Sequence, residues 1–133
     1  MTDNKELVRL ALRARKNAYA PYSGFFVGAA LLCRDGSVFC GANVENASYS
    51  LTCCAERSAL FAAVSAGKRE FEAIAVVGGK EGEVTEFCPP CGACRQALSE
   101  FSGDGRLKVI LCDGKEEKEF RLGELLPLGF ELE

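Results

Sequence analysis

With 133 residues, a formal net charge of −3, 48% apolar and 26% charged residues, the chain has the make-up of one ordinary globular domain, residues 1–133. It lacks the run of about 18 uncharged apolar residues needed for a membrane span and any basic block to grip a nucleic-acid polymer. Met1 to Glu6 lacks the basic-then-apolar profile of an export signal, so a cytosolic protein with a neutral small-molecule partner is expected.

In chain order, Asp3 followed by Glu6 has the form of a capping box, and Leu7, Leu10, Ala11, Ala14 and Ala18 recur on one helical face. A first helix is therefore expected, ended by Pro21. Phe25 to Cys33 is almost continuously apolar, as in a strand covered on both faces. Asp35-Gly36 turns it back into an antiparallel Val38 to Val44. A second helix is expected to begin near Thr52–Cys54 and stop at Gly67 as its C′ residue. Ala73 to Val77 reads as a buried strand closed by Gly78-Gly79, and Pro89-Pro90 as the entry to a third helix from Cys91 to about Phe101. Leu107 to Leu111 and Lys118 to Leu122 form a final hairpin about Asp113-Gly114, and Leu125 to Phe130 closes the chain. The order α-β-β-α-β-α-β-β calls for a parallel core with right-handed crossovers, whose helices start at the carboxyl edge of the sheet. That edge would gather Cys54, Cys91 and Cys94, with Asn43 and Glu45 at the exit of the second strand.

The chain has eight cysteines and no histidine. In a reducing compartment, clustered cysteines point to metal or redox chemistry rather than to structural disulfides. Cys54-Ala55-Glu56 followed by Pro90-Cys91-Gly92-Ala93-Cys94 has the metal-plus-proton-shuttle pattern of zinc-dependent base deaminases. Three thiolates would leave a catalytic zinc its fourth position for water, with Glu56 beside it as the proton carrier. Two helix N-termini and Arg57 would offset the negative charge of such a cluster, which makes Arg57 a tuner of the ligand sulfurs. Burial among anions should raise the pKa of Glu56. Other readings stand beside this one. Cys88-Pro89-Pro90-Cys91 has the form of a redox dithiol, but that leaves Cys94 and Cys54-Ala55-Glu56 unexplained. An iron–sulfur pattern lacks its fourth Cys-Pro. A closed structural zinc site could recruit Cys53 or Cys88, although Cys53 would point about 100° away from Cys54 were both helical. Cys33, Cys40 and Cys112 read as small core residues, as does one of Phe25 and Phe26.

Five segments extend the pattern: Pro21 to Phe25, Val27 to Leu31, Asn43 to Tyr49, Cys54 to Arg57 and Pro90 to Gln96. Together they resemble the small homotetrameric cytidine deaminases, over essentially the whole chain to Leu125-Leu126-Pro127. The resemblance implies a three-layer α/β/α fold with a five-stranded mixed sheet in the order 2-1-3-4-5. It also implies one zinc per subunit on Cys54, Cys91 and Cys94, and Glu56 as the catalytic residue. Cytidine and 2′-deoxycytidine would be deaminated to the uracil nucleosides and ammonia, as in pyrimidine salvage. By the same resemblance Phe25, Asn43, Glu45 and Ala55 contact the nucleoside. Ala47, Tyr49 and Phe130 would reach a neighbouring subunit's site in a homotetramer, with Leu128 departing from the commoner small residue ahead of that aromatic.

Overall fold

The computed structural model describes residues 2–132. Helix α1 (Asn4–Arg15) is followed by strands β1 (Phe25–Cys33) and β2 (Val38–Ala42), a single 3-10 turn at Tyr49–Leu51, and helix α2 (Ala55–Ser65). Strand β3 (Phe71–Lys80), helix α3 (Gly92–Ser99), strands β4 (Lys108–Cys112) and β5 (Glu117–Arg121) and a short α4 (Leu122–Leu125) complete the order. The sheet has the order β2-β1-β3-β4-β5, as expected. Its parallel part is smaller than the element order suggests. Only β3 and β4 pair in parallel, because β1 lies antiparallel between β2 and β3.

Alternation along the buried strands sorts side chains into two cores. Ala30, Leu32, Ala73, Ala75 and Val77 meet Leu7, Val8 and Ala11 of α1 on one face. Ala29, Leu31, Ile74, Val76 and Val109 meet Ala55, Ala59, Leu60 and Leu98 of α2 and α3 on the other. This is a three-layer α/β/α sandwich. The helices sit very close to the sheet: a Cβ at Gly28 would lie 2.1 Å from the Ala11 carbonyl oxygen, and one at Gly41 2.4 Å from the Ala59 nitrogen. Glycine is required at both positions because backbone occupies the space of a side chain.

Several element bounds differ from the sequence expectation. Helix α1 ends at Arg15, so Ala18 lies outside it. Past Arg15 the chain tightens into a turn, the Asn17 and Ala18 N–H groups bonding back to Ala14 and Arg15, and Tyr19 then pairs as a bridge: its N–H donates to the Asn43 carbonyl and its carbonyl accepts from the Glu45 N–H. Of the capping box only the Asp3 half forms, accepting from the Glu6 N–H, while the Glu6 side chain turns to Arg9. Gly78 and Gly79 do not close β3 but continue its ladder against Val27 and Phe26. Strand β5 stops at Arg121, and α3 begins at Gly92 with Cys91 as its N-cap. Cys40 is exposed on edge strand β2, whereas Cys33 and Cys112 are buried. Neither Phe25 nor Phe26 is fully buried, because β1 projects beyond the helices at its start. Helix α2 does close at Gly67 (φ 90°), where the Gly67 and Lys68 N–H groups bond back to Val64 and Ala63 in a Schellman motif.

Candidate active site

Helix starts build the site. Cys54 is the N-cap of α2 and Cys91 the N-cap of α3, and Cys94 follows in the first turn of α3. Neither cap side chain bonds the helix backbone, so both sulfurs are free to face each other. A two-residue bridge sets the entry to α2: Val44 and Cys53 exchange N–H to carbonyl bonds of 2.9 Å each. This bridge also brings Asn43 and Glu45 alongside the head of α2.

The sulfurs of Cys54, Cys91 and Cys94 lie within 4.8 Å of one another, and those of Cys54 and Cys91 are 3.8 Å apart. Zinc–sulfur bonds of about 2.3 Å in a regular tetrahedron give a sulfur–sulfur edge of about 3.8 Å. The donor set therefore fits a thiolate-bound divalent ion in type and in size. All eight cysteines are free thiols, which removes the dithiol reading as a formed disulfide. Among the described residues no fourth sulfur joins the group. Cys53 is held in the bridge rather than in a helix, and its sulfur accepts from the Ser58 hydroxyl. Cys88 packs against Gly78 and beside the Phe25 ring, and burial pushes its thiol up to about 11.

Electrostatics divide the trio. Cys54 is drawn down to about 5, chiefly by a hydrogen bond from Cys94 and then by Arg57, whose Nη2 lies 3.4 Å from its sulfur. Cys94 moves upward as the partner that keeps its proton, with burial adding to the effect. Arg57 is itself raised by the cysteines it serves, and its buried Nε–H has no partner among the described residues. Glu56 is only 4% exposed. Burial raises its carboxyl to about 7, its own backbone N–H at the helix start opposes the rise, and the Cys54 charge adds to it. A carboxyl poised there can both take and return a proton near neutral pH.

Asn43 and Glu45 are buried at the same rim. The Asn43 amide clamps β1, donating to the Phe25 carbonyl and accepting from the Val27 N–H, each at 2.9 Å. Glu45 Oε1 accepts from the Tyr22 and Ser23 N–H groups at 3.0 and 3.1 Å, and Oε2 accepts from the Ser23 hydroxyl. The Ser23 hydroxyl is the leading cause that lowers the Glu45 pKa. One lone pair and one N–H on Asn43, and the remaining lone pairs of Glu45, stay open to a ligand. Phe25 starts β1 and is 37% exposed. The Ala55 side chain is buried in the core, so what it offers the rim is backbone N–H at the head of α2. Ala47 and Tyr49 are exposed on the loop between Glu45 and Cys53, with Tyr49 set edge-on to Tyr22 at 6.2 Å. Phe130 is 68% exposed and bonds through its backbone to Gln96, not to the cysteine cluster.

Sequence reasoning gave no role to three groups that the structure ties to this rim. Ser23 orients Glu45. Arg95 donates from Nε to the Pro90 carbonyl and from Nη1 to the Leu125 carbonyl, both at 2.7 Å. Gln96 holds Phe130. All three fall in segments that carry the family resemblance, Ser23 in Pro21 to Phe25 and Arg95 and Gln96 in Pro90 to Gln96, and that was the signal available.

Three protein sulfurs leave one corner of a tetrahedron open, which separates a hydrolytic metal centre from a closed zinc module. Such a centre, at the head of two crossover helices in an α/β/α sandwich, defines the class. Comparison with known proteins gives the family. The model of the cytidine and deoxycytidylate deaminase zinc-binding region matches residues 1–111, and the chain belongs to that family. A cytidine deaminase of Halalkalibacterium halodurans is 51% identical over 132 residues, 98% of this chain and 96% of that protein. The crystal structure of a cytidine deaminase from Burkholderia pseudomallei superposes with a TM-score of 0.86 at 51% identity, covering 98% of this chain and all (100%) of that one. The Mycobacterium tuberculosis cytidine deaminase structure gives 0.84 at 42% identity, covering 99% and 100%.

Proposed function

We propose that the protein hydrolyses cytidine and 2′-deoxycytidine to uridine and 2′-deoxyuridine, releasing ammonia, as a step of pyrimidine salvage. The observation that carries this is the sulfur triangle of Cys54, Cys91 and Cys94 beside a buried Glu56. Zinc, held by those three cysteines, supplies the Lewis acidity that makes water nucleophilic at neutral pH.

The chain's own residues do the rest. Glu56 takes one proton as water adds to the ring carbon that bears the amine and passes it to the adjacent ring nitrogen; it then takes the second proton from the new hydroxyl and hands it to the amine, as the C–N bond breaks and the carbonyl forms. Arg57 draws charge from the Cys54 sulfur and so preserves the electrophilicity of the centre. Glu45 and Asn43, as acceptor and mixed donor–acceptor, receive sugar hydroxyls, and Phe25 lies against the nucleoside. A net-negative chain with an ionised Glu45 at this rim favours a nucleoside over a nucleotide.

Assembly completes the pocket in this reading. Tyr22, Phe25, Val44, Tyr49, Leu51 and Phe130 are large apolar side chains left exposed by a single subunit. A homotetramer would cover them and bring Ala47, Tyr49 and Phe130 to neighbouring sites, and the enzyme would work in the cytoplasm. No helix among the described residues is long and apolar enough to cross a membrane. The test is direct: incubate purified protein with cytidine, deoxycytidine and CMP, follow ammonia release, and measure zinc per chain. Release from the two nucleosides with about one zinc per chain is expected; zinc-loaded protein inert toward both nucleosides would overturn the reading.

A further inference from the structure

We propose that Gln96 is a positioning residue for the nucleoside site, acting through a two-point amide clasp on the backbone of Phe130. The inference rests on the functional reading above, in which the Phe130 ring meets a pyrimidine. The Phe130 N–H donates to Gln96 Oε1 at 3.1 Å, and Gln96 Nε2 donates to the Phe130 carbonyl at 2.9 Å. A primary amide bound to both backbone groups of one residue mimics a strand pair and fixes that residue's position and direction. The second Nε2 hydrogen goes to the Ser99 hydroxyl at 3.2 Å, and that hydroxyl donates back to the Gln96 carbonyl at 2.7 Å. Ser99 therefore sets which end of the amide faces which backbone group.

The surrounding tail has little else to hold it. Phe130 is 68% exposed and Leu128 fully so. Leu128 also sits at φ 58°, a left-handed conformation disfavoured for a leucine. Upstream, the Arg95 guanidinium of α3 ties Leu125 to Pro90, so the tail leaves the end of α4 from a fixed point. A Cβ at Gly129 would press within 2.8 Å of the Leu126 side chain, so the chain at that point lies flat against its own base. An exposed aromatic on a strained tail reaches one position only if its backbone is held, and Gln96 is the side chain that holds it. Since Cys91 caps α3 and Cys94 lies in its first turn, the ring is indexed to the metal ligands by one helix.

The test compares wild type, Gln96→Ala, Gln96→Glu, Phe130→Ala and the Gln96→Ala/Phe130→Ala double variant in cytidine deamination, with zinc content and amide exchange at Phe130. Stacking on a base and two neutral hydrogen bonds set the expected scale. Gln96→Ala should raise KM roughly fivefold or more with a much smaller change in kcat, keep its zinc, and speed exchange of the Phe130 N–H. Gln96→Glu keeps the acceptor but loses both donors, so its KM should rise as well. The double variant should be no worse than Phe130→Ala alone. Effects on KM that multiply, loss of zinc in Gln96→Ala, or unchanged exchange at Phe130 would each overturn the inference while leaving the enzyme reading intact. A zinc-loaded wild type without activity would overturn that reading and this inference with it.

Discussion

Glu56 shows how one position can carry chemistry through its surroundings alone. The first turn of a helix stabilises a carboxylate, yet near-complete burial outweighs that and raises the group to about 7. An amide in its place would keep the shape and lose the titration, so Glu56→Gln is expected to retain zinc while kcat falls by at least about a hundredfold. Zinc analysis beside a turnover assay separates the two effects. The neighbouring thiols offer a sharper contrast. Cys91→Ser should strip the metal and Cys88→Ser should keep it, because Cys88 faces Gly78 and Phe25 instead of the trio. Glu45 gives the pH dependence. Its folded pKa lies below the ordinary 4.5, so its share of stability is present above that value and is lost as pH falls through the folded pKa. Ser23→Ala removes the leading cause of that depression and should shift acid unfolding to higher pH, read from melting curves across the acid range. The metal-and-shuttle pattern was legible because its chemistry demands particular residue types at fixed spacing. Ser23 and Gln96 were not, because Ser23 acts on the Glu45 carboxylate and Gln96 on the Phe130 backbone, partners far along the chain that no local spacing reveals.

At the scale of elements, two glycines set how closely the helices approach. Gly41 lies under Ala55 and Ala59 at the head of α2, and Gly28 lies under Ala11 and Arg15 of α1. Alanine at either must push backbone aside, and overpacking of this kind costs about 1–3 kcal/mol or more. The functional outcomes should differ. Gly41→Ala displaces the helix that carries Cys54 and Glu56, so zinc affinity of the folded protein should drop. Gly28→Ala displaces a helix with no site residue and should lower stability while zinc affinity holds; competition with a chelator on folded protein reads the difference. Most strands and the close of α2 could be read from apolar runs and from Gly67. The end of α1 could not, because the pairing of Tyr19 with Asn43 and Glu45 overrides a helical pattern that continues through Ala18. The hairpin of β1 with β2 was legible at Asp35-Gly36, but the antiparallel pairing of β1 with β3 was not legible from element order alone, because no single turn connects those strands.

At the scale of the molecule, the cysteine trio joins two crossover connections, the one that leads into α2 and the one that leads into α3. Cys54 and Cys91 are 37 residues apart in sequence. By the loop-closure arithmetic used for a covalent cross-link, tying such a loop is worth on the order of 4 kcal/mol. Removal of the metal by a chelator should therefore lower the melting temperature by on the order of ten degrees at fixed protein concentration. Re-addition of zinc should restore it. The same layout ties the ion to the fold: its three sulfurs come from the heads of two helices with strand β3 between them in sequence, so a complete donor set needs both helices seated. Retained zinc is therefore a readout of correctly seated crossovers.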